Sequence, residues 1–404
     1  MDELLDDNLL CDEAVRDPHA YFGRLRESSP VHWSVRHRSW VITRYADVVS
    51  LLRSPLLTAE RITPFAGAIT KASGSDQVAA TFAILEDWLV FKDPPDHTRL
   101  RRLLQRAFST GVVRTWEPRI RAIIDGLLDD LEGREHFDLI RDFAYPLPAI
   151  VIAEMLGAPP QDRDLFKEWS DQITALVFGA YDSEDRYERA AAGMSELRAY
   201  LVGLIERFEA DPGDNLISLL LEREGDDSLS RDELVASCTL LLFGGHETTT
   251  NLIGNGALAL LTHRDQWEAL QADRSLVPSA VEEILRFDGP ARATVRLVKE
   301  RHELDGHEFE EGQRVFLVNL AANRDPAAFA EPERFDVKRS PNSHLGFGFG
   351  IHYCLGAPLA RVEGQLALSG LIDRYPSLEL ADPSSLTWHP TMLSRGLHHL
   401  PVAT

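Results

Sequence analysis

A chain of 404 residues with 44% hydrophobic composition has ample material for one large buried core or two ordinary ones. Its 42 Lys and Arg against 64 Asp and Glu give a net charge of -22, which argues against nucleic acid as a partner and predicts good solubility. Cys11, Cys238 and Cys354 are far apart, odd in number and without a C-x-x-C pair, so neither a disulfide framework nor a structural zinc site is supported and a reducing cytoplasm is expected.

In chain order, the start Met1-Asp2-Glu3-Leu4-Leu5-Asp6-Asp7 has no basic segment ahead of an apolar run. No later stretch reaches about 18 uninterrupted apolar residues, so no membrane association is predicted. Val31, Trp33 and Val35, then Trp40 and Ile42, alternate with polar residues around Arg36-His37-Arg38-Ser39 and predict a hairpin. A short helix from about Tyr45 to Leu52 comes next and stops before Pro55. From Thr58 to Lys92, Gly, Pro and Ser break the pattern while Phe65, Phe82, Ile84, Trp88 and Leu89 keep it apolar. This predicts an apolar loop region with a short helix in it, a common place for a ligand site. Helical patterns dominate from Thr98 to about Leu270, interrupted at Pro146, at Gly157-Ala158-Pro159-Pro160 and at Asp211-Pro212-Gly213. The longest run opens on the capping-box pattern Ser230-Arg231-Asp232-Glu233 and extends to about Leu261. Roughly 30 residues at about 1.5 Å each span about 45 Å, enough to cross the domain. Pro278 to Phe287 reads as a short helix, Leu304-Asp305-Gly306-His307 as a hairpin turn, and Val315-Phe316-Leu317-Val318 as a buried strand. Without repeats, low-complexity tracts or a Ser/Gly linker, the expectation is a single domain over 1–404, mainly α with small β-sheets. The sheets belong to about 1–60 and 290–404, the helical body to about 98–290.

Three stretches carry chemistry. In Phe347-Gly348-Phe349-Gly350-Ile351-His352-Tyr353-Cys354-Leu355-Gly356, one cysteine sits in a glycine-rich loop that runs into the helix-forming Ala357-Pro358-Leu359-Ala360. Such glycines let backbone approach a flat ligand, and successive amides of the turn can point at the sulfur and favour the thiolate, a soft metal ligand. In Leu242-Phe243-Gly244-Gly245-His246-Glu247-Thr248-Thr249, two glycines weaken an apolar helix by roughly 1 kcal/mol each, a cost that calls for a packing or functional reason. The Thr248 hydroxyl can bond back to the Gly244 carbonyl and open a groove. His246, a lone histidine on such a helix, is read as a packed or solvated side chain. Third, Glu283 and Arg286 lie three apart on the Pro278–Phe287 helix, where they can pair.

The pattern F-G-x-G-x-H-x-C-x-G resembles the haem-binding loop of the cytochrome P450 family, and the likeness extends in family order from about His97 to Arg395-Gly396. It implies a P450-like fold with a long central helix, b-type haem ligated by Cys354, and dioxygen as co-substrate. By the same resemblance Glu247 and Thr248 match the G-x-[DE]-T segment, where acid and alcohol help deliver protons through water during oxygen activation. Gly244 and Gly245 let the macrocycle approach. Glu283-Ile284-Leu285-Arg286 matches E-x-x-R, with Pro332-Glu333-Arg334-Phe335 expected to bring Arg334 into a buried network that supports the cysteine loop. His97, Arg101, Arg296 and His352 match the positions that hold the haem propionates, while Phe347, Gly348, Gly350 and Gly356 form the loop. The pocket lining is expected from Thr58–Trp88, the stretch around Phe166–Phe178, Ala293–Val295 and Met392-Leu393. The resemblance thus implies a soluble, bacterial-type, cytoplasmic monooxygenase that inserts one oxygen atom of dioxygen into a small apolar organic substrate, by hydroxylation or epoxidation. Electrons come from a ferredoxin and its ferredoxin reductase, because 404 residues leave no room for a flavin or nicotinamide domain. A peroxide-driven peroxygenase and a non-catalytic haem-thiolate sensor are the competing readings, and the acid-alcohol pair disfavours both. Finally, Arg99, Arg101, Arg102 and Arg106 concentrate four arginines within eight residues of an acidic chain. A helix would put Arg102 and Arg106 on one face, a candidate dock for an acidic ferredoxin.

Overall fold

A computed structural model of the chain describes residues 6–174, 176, 185–222 and 227–404. Its axis is the helix Arg231–Thr262, opened by the full capping box: Ser230 Oγ accepts from the Glu233 amide and the Glu233 carboxylate accepts from the Ser230 amide. This helix is buried along most of its length, so its neighbours set where it can be wide and where it must be narrow. A Cβ at Gly245 would lie 2.9 Å from Ile152 of the helix Pro146–Leu156, and one at Gly256 would lie 2.8 Å from Ile284 of the helix Val277–Asp288. Gly254 faces Ile140 in the same way. Three glycines are thus notches into which three isoleucines pack, which explains why an apolar helix tolerates their low propensity.

The strands within the described residues form three small sheets. In chain order they are β1 (Val31–Ser34), β2 (Ser39–Ile42), β3 (Leu57–Thr58), β4 (His136–Asp138), β5 (Thr294–Val298), β6 (His302–Leu304), β7 (His307–Phe309), β8 (Arg314–Leu317), β9 (Glu379–Leu380) and β10 (Pro401–Ala403). The largest sheet has the order β1-β2-β8-β5-β3, with β2 and β8 parallel and its other pairs antiparallel. Its two faces feed separate apolar clusters: Trp40, Ile42, Val315 and Leu317 on one side, Val41, Val295 and Phe316 on the other, as the period of two along a strand requires. The predicted hairpins, the Tyr45–Arg53 helix and the Val277–Asp288 helix are all present. No described helix is long and apolar enough to cross a membrane.

Two expectations change. The 58–92 region holds two helices, Thr63–Ser73 and Asp76–Glu86, in place of a loop with one short helix. Its breakers are boundary residues: Pro64 stands in the first turn, Gly74 ends the first helix in the left-handed conformation at φ 62°, and Ser75 caps the second. The interruption expected at Pro146 is present: one helical stretch ends at Ala144 and Pro146 begins the next helix. The second change concerns Arg334. Glu283 and Arg286 are fully buried and meet through two bonds of 2.8 Å each, but the second arginine on Glu283 is Arg339, whose Nε lies 3.1 Å from both carboxylate oxygens. The Arg334 side chain is 58% exposed and pairs with Glu331; only its backbone carbonyl joins the network, accepting from Arg286 and Arg339.

All five Arg286 donors are used, on Glu283 and on the carbonyls of Asn323, Pro332 and Arg334. Glu283 also accepts from the Asp336 amide and from Asn342. Removing one partner would leave a buried charge, so Glu283→Ala is expected to cost about 3–5 kcal/mol. Arg334→Ala should stay within about 0.5 kcal/mol. Urea unfolding of both variants checks this; a loss at Arg334 as large as that at Glu283 would return Arg334 to the network.

Candidate active site

The Glu283 network holds the chain that leads into the cysteine loop. Asn323 accepts from the Leu345 amide at 2.7 Å, and the loop closes on itself where the Cys354 amide donates to the Phe347 carbonyl at 2.9 Å. Gly348 and Gly350 have φ of 71° and 74°, a backbone that other residues adopt only with strain, and Gly350 lies against the Leu52 carbonyl. Phe347 is clamped by the Arg361 guanidinium, 4.6 Å from its ring centroid, and Arg361 is itself fixed by two bonds to Glu282. Cys354 lies at the edge of a cavity just ahead of the helix Ala357–Arg374, which Gly356 opens. Burial pushes the Cys354 thiol up, while the amides of Gly356 and Ala357 and the charges of Arg101 and Arg361 favour the thiolate. Metal binding at such a sulfur displaces its proton, so a buried thiol and a thiolate ligand are compatible.

Opposite the loop, the same cavity of about 340 Å³ is lined by Gly244, Gly245, Thr248 and Thr249 of the central helix. The Thr248 hydroxyl donates to the Gly244 carbonyl at 2.6 Å, as expected from sequence. The two glycines divide their work: the space beside Gly244 is open, whereas Gly245 owes its missing Cβ to Ile152, so only Gly244 leaves room on the cavity side. Glu247 accepts from Ser394 Oγ at 2.9 Å, while its Oε2 is buried without a hydrogen bond. Burial raises this carboxyl to about 7, against the opposing pull of Ser394 and of the Asn251 amide close by. Sequence reasoning missed Ser394 and Asn251, which stand 147 residues away and one helical turn on respectively. His246 is buried between Ser170 Oγ and the Tyr145 carbonyl, at 2.8 and 3.1 Å, a packed histidine as read.

The third wall is basic. His97 and Arg101 from the helix Asp96–Gln105, Arg296 from β5 and His352 from the loop all line this cavity, with the two imidazoles 4.2 Å apart. His97 Nε2 is buried with no hydrogen bond, and Arg296 reaches only the carbonyl of Val295. Among the described residues no carboxylate forms an ion pair with Arg101 or Arg296. Burial, reinforced by mutual repulsion, lowers His97 to about 4 and His352 to about 3; burial lowers Arg296 to about 10. Such a donor set fits a flat apolar group with two carboxylates at one edge, which is the outline of haem b. The described residues contain no group of three or more His, Cys, Asp and Glu able to hold a metal by themselves, so the single cysteine suits a metal carried by a macrocycle.

A second cavity has a volume of about 360 Å³. Strand β5 borders both: Thr294 and Arg296 line the inner cavity, Val295 and Leu297 the outer. Residues expected to contact a guest are found around the outer space, among them Phe65, Phe82, Leu176 and Met392; of the Phe166–Phe178 stretch, 175, 177 and 178 lie outside the described residues. The basic face behaves differently from expectation. Arg102 pairs with Asp227 at 2.5 Å, Arg106 with Glu222 at 3.1 Å, and Arg99 with Glu233, so local carboxylates offset most of its charge.

Comparison with known proteins agrees with this geometry. The family model described as Cytochrome P450 matches residues 66–387. The chain is 41% identical to cytochrome P450 107B1 of Saccharopolyspora erythraea over 98% of its length and 97% of the relative's. It is 38% identical to the cytochrome P450 monooxygenase PikC of Streptomyces venezuelae over 99% and 94%. The crystal structure of CalO2 superposes with a TM-score of 0.91 at 32% identity, covering 98% of both chains. A cysteine loop facing a threonine-notched helix across a cavity with a basic edge, together with these matches, establishes that the chain belongs to the cytochrome P450 family and is a haem-thiolate monooxygenase.

Proposed function

We propose that Cys354 supplies the thiolate to haem iron, that His97, Arg101, Arg296 and His352 hold the propionates, and that Glu247 and Thr248 manage the protons of the reaction. The observation that carries this reading is the convergence of four cationic or hydrogen-bond-donating side chains, without an ion-paired acid, on the cavity that Cys354 edges. When bound, the haem supplies dioxygen activation, with the thiolate pushing electron density toward O–O cleavage. Phe347, Gly348, Gly350 and Gly356 fix the sulfur and shield it, and Gly244 leaves the helix surface open to a flat ring. In the net reaction one oxygen atom enters a C–H or C=C bond of an organic guest and the other leaves as water, consuming two electrons and two protons.

Those protons must cross a buried apolar site. Glu247, raised to about 7, exchanges a proton near neutrality, and its unbonded Oε2 is the atom through which it can pass one on by way of water. Thr248 Oγ1 spends its own hydrogen on the Gly244 carbonyl, which leaves the oxygen's lone pairs facing the cavity as acceptors that order water or a guest. Electrons arrive from a separate protein, and we favour a ferredoxin with its reductase. The pairing of Arg102 and Arg106 with acids weakens the case for docking on that face.

The reduced carbon monoxide complex should show the red-shifted Soret band of a thiolate ligand, and Cys354→Ala should abolish it. A variant that kept the band would remove Cys354 as the ligand.

Thr248→Ala is expected to go on consuming reductant while yielding several-fold less product and more hydrogen peroxide, measured as product formed per reducing equivalent. Unchanged coupling would take Thr248 out of the chemistry.

For Glu247 the sign comes from its raised value: the carboxylic acid, the proton donor, is populated below about pH 7 and lost above it. Product formation should therefore fall with an inflection near pH 7, and Glu247→Gln should remove the inflection and slow turnover on the order of 10²-fold. A pH profile identical to wild type would exclude Glu247 as donor.

A further inference from the structure

The outer cavity is lined mostly by apolar side chains, yet it carries three arginines, Arg61, Arg186 and Arg314, and no carboxylate among its described lining residues. Each guanidinium lies against an aromatic ring of the same wall: Arg61 4.9 Å from the Phe91 centroid, Arg186 4.7 Å from Tyr187 and Arg314 6.0 Å from Phe65. Arg186 also donates to the Tyr187 hydroxyl at 3.0 Å, and a guanidinium held along an aromatic face in this way can still offer its planar fork to a carboxylate or phosphate. Arg314 is the informative member. It is half-buried on β8, opposite Leu297 of β5, and its side chain makes no hydrogen bond or ion pair with any described residue. A guanidinium without a counter-ion at the margin of an apolar cavity is placed to meet an anion there.

We infer that the outer cavity recognises an anionic head group on an apolar chain, so that the substrate is an amphiphilic acid, carboxylate or phosphate, whose tail runs toward Cys354. The head is held at Arg314, beside Phe65 of the same cavity lining, which is 42% exposed. The tail is taken to pass along the segment 89–91, where Phe91 lines the outer space and Leu89 and Val90, its chain neighbours, line the inner one. Anchoring one end fixes which carbons along the tail can reach the inner cavity, so oxidation is expected at a set distance from the acid. The inference rests on the monooxygenase reading only in taking the inner cavity as the reacting end.

The test is calorimetric titration of the haem-loaded protein at pH 7.5 with dodecanoate, dodecyl phosphate and dodecanol, which share a chain and differ in the head. At least one of the two anions should bind about tenfold or more tightly than the alcohol, and which one does identifies carboxylate or phosphate as the head. In Arg314→Gln that preference should shrink to within about twofold with dodecanol affinity unchanged, and Arg314→Lys should retain part of it. Anions and alcohol within twofold of one another in the wild type, no measurable binding of either anion, or an unaltered preference in Arg314→Gln would each overturn the inference. The reduced carbon monoxide spectrum of the same preparations separates the two claims: a thiolate band without an anion preference sinks the head-group site alone, and an anion preference without the band sinks the haem assignment alone.

Discussion

A carboxylate and two guanidiniums locked away from water hold the rest of this structure in place. Glu283 accepts from Arg286, Arg339, Asn342 and the Asp336 amide, and the arginines spend their remaining donors on carbonyls of residues 323–334. Burying such charges is expensive, and the arrangement survives because nearly every lone pair and proton has a partner. The network contributes position: it ties the Val277–Asp288 helix to the irregular stretch from Asn323 to Leu345, so that the cysteine loop starts from a fixed point. Irregular backbone needs this more than helices do, since it has no ladder of its own.

On the far side of the cavity the fixed point is the central helix, located by isoleucines seated in glycine notches. Packing of this kind tolerates little sliding, because a shift of one residue would drive an isoleucine into a side chain. The alcohol at Thr248 and the acid at Glu247 therefore inherit the precision of the helix, while Ser394, on the chain's last loop segment, reaches back to hold the acid. Two rigid bodies face each other across the cavity, one irregular and cross-linked by ions, the other regular and close-packed.

Local chemistry was readable from the sequence, and partners distant along the chain were not. The capping box at Ser230, the hairpin around Arg36–Ser39, the Thr248 to Gly244 bond and the grouping of His97, Arg101, Arg296 and His352 around Cys354 all derive from spacing, or from a resemblance anchored in spacing. The choice between Arg334 and Arg339 was invisible because both lie in the same loop, five residues apart, and only the loop's path decides which side chain turns inward. The same holds for Arg102 and Arg106, whose acidic partners Asp227 and Glu222 are more than 100 residues away. In the 58–92 region, Gly74 and Ser75 were seen as breakers when they are a stop and a start between two helices. A glycine next to a serine signals a boundary without saying whether a loop or a helix lies beyond it.

Strand β5 has a consequence for how such an enzyme can diversify. Because successive side chains alternate between faces, its even-numbered residues Thr294 and Arg296 line the inner cavity and its odd-numbered Val295 and Leu297 line the outer one. The two linings are interleaved in four consecutive residues and yet separable by parity. Drift at odd positions can reshape the outer cavity without disturbing the inner one, whereas a single-residue insertion would exchange the two alphabets and spoil both at once. Novelty here should accumulate by substitution, and length at this strand should be held constant.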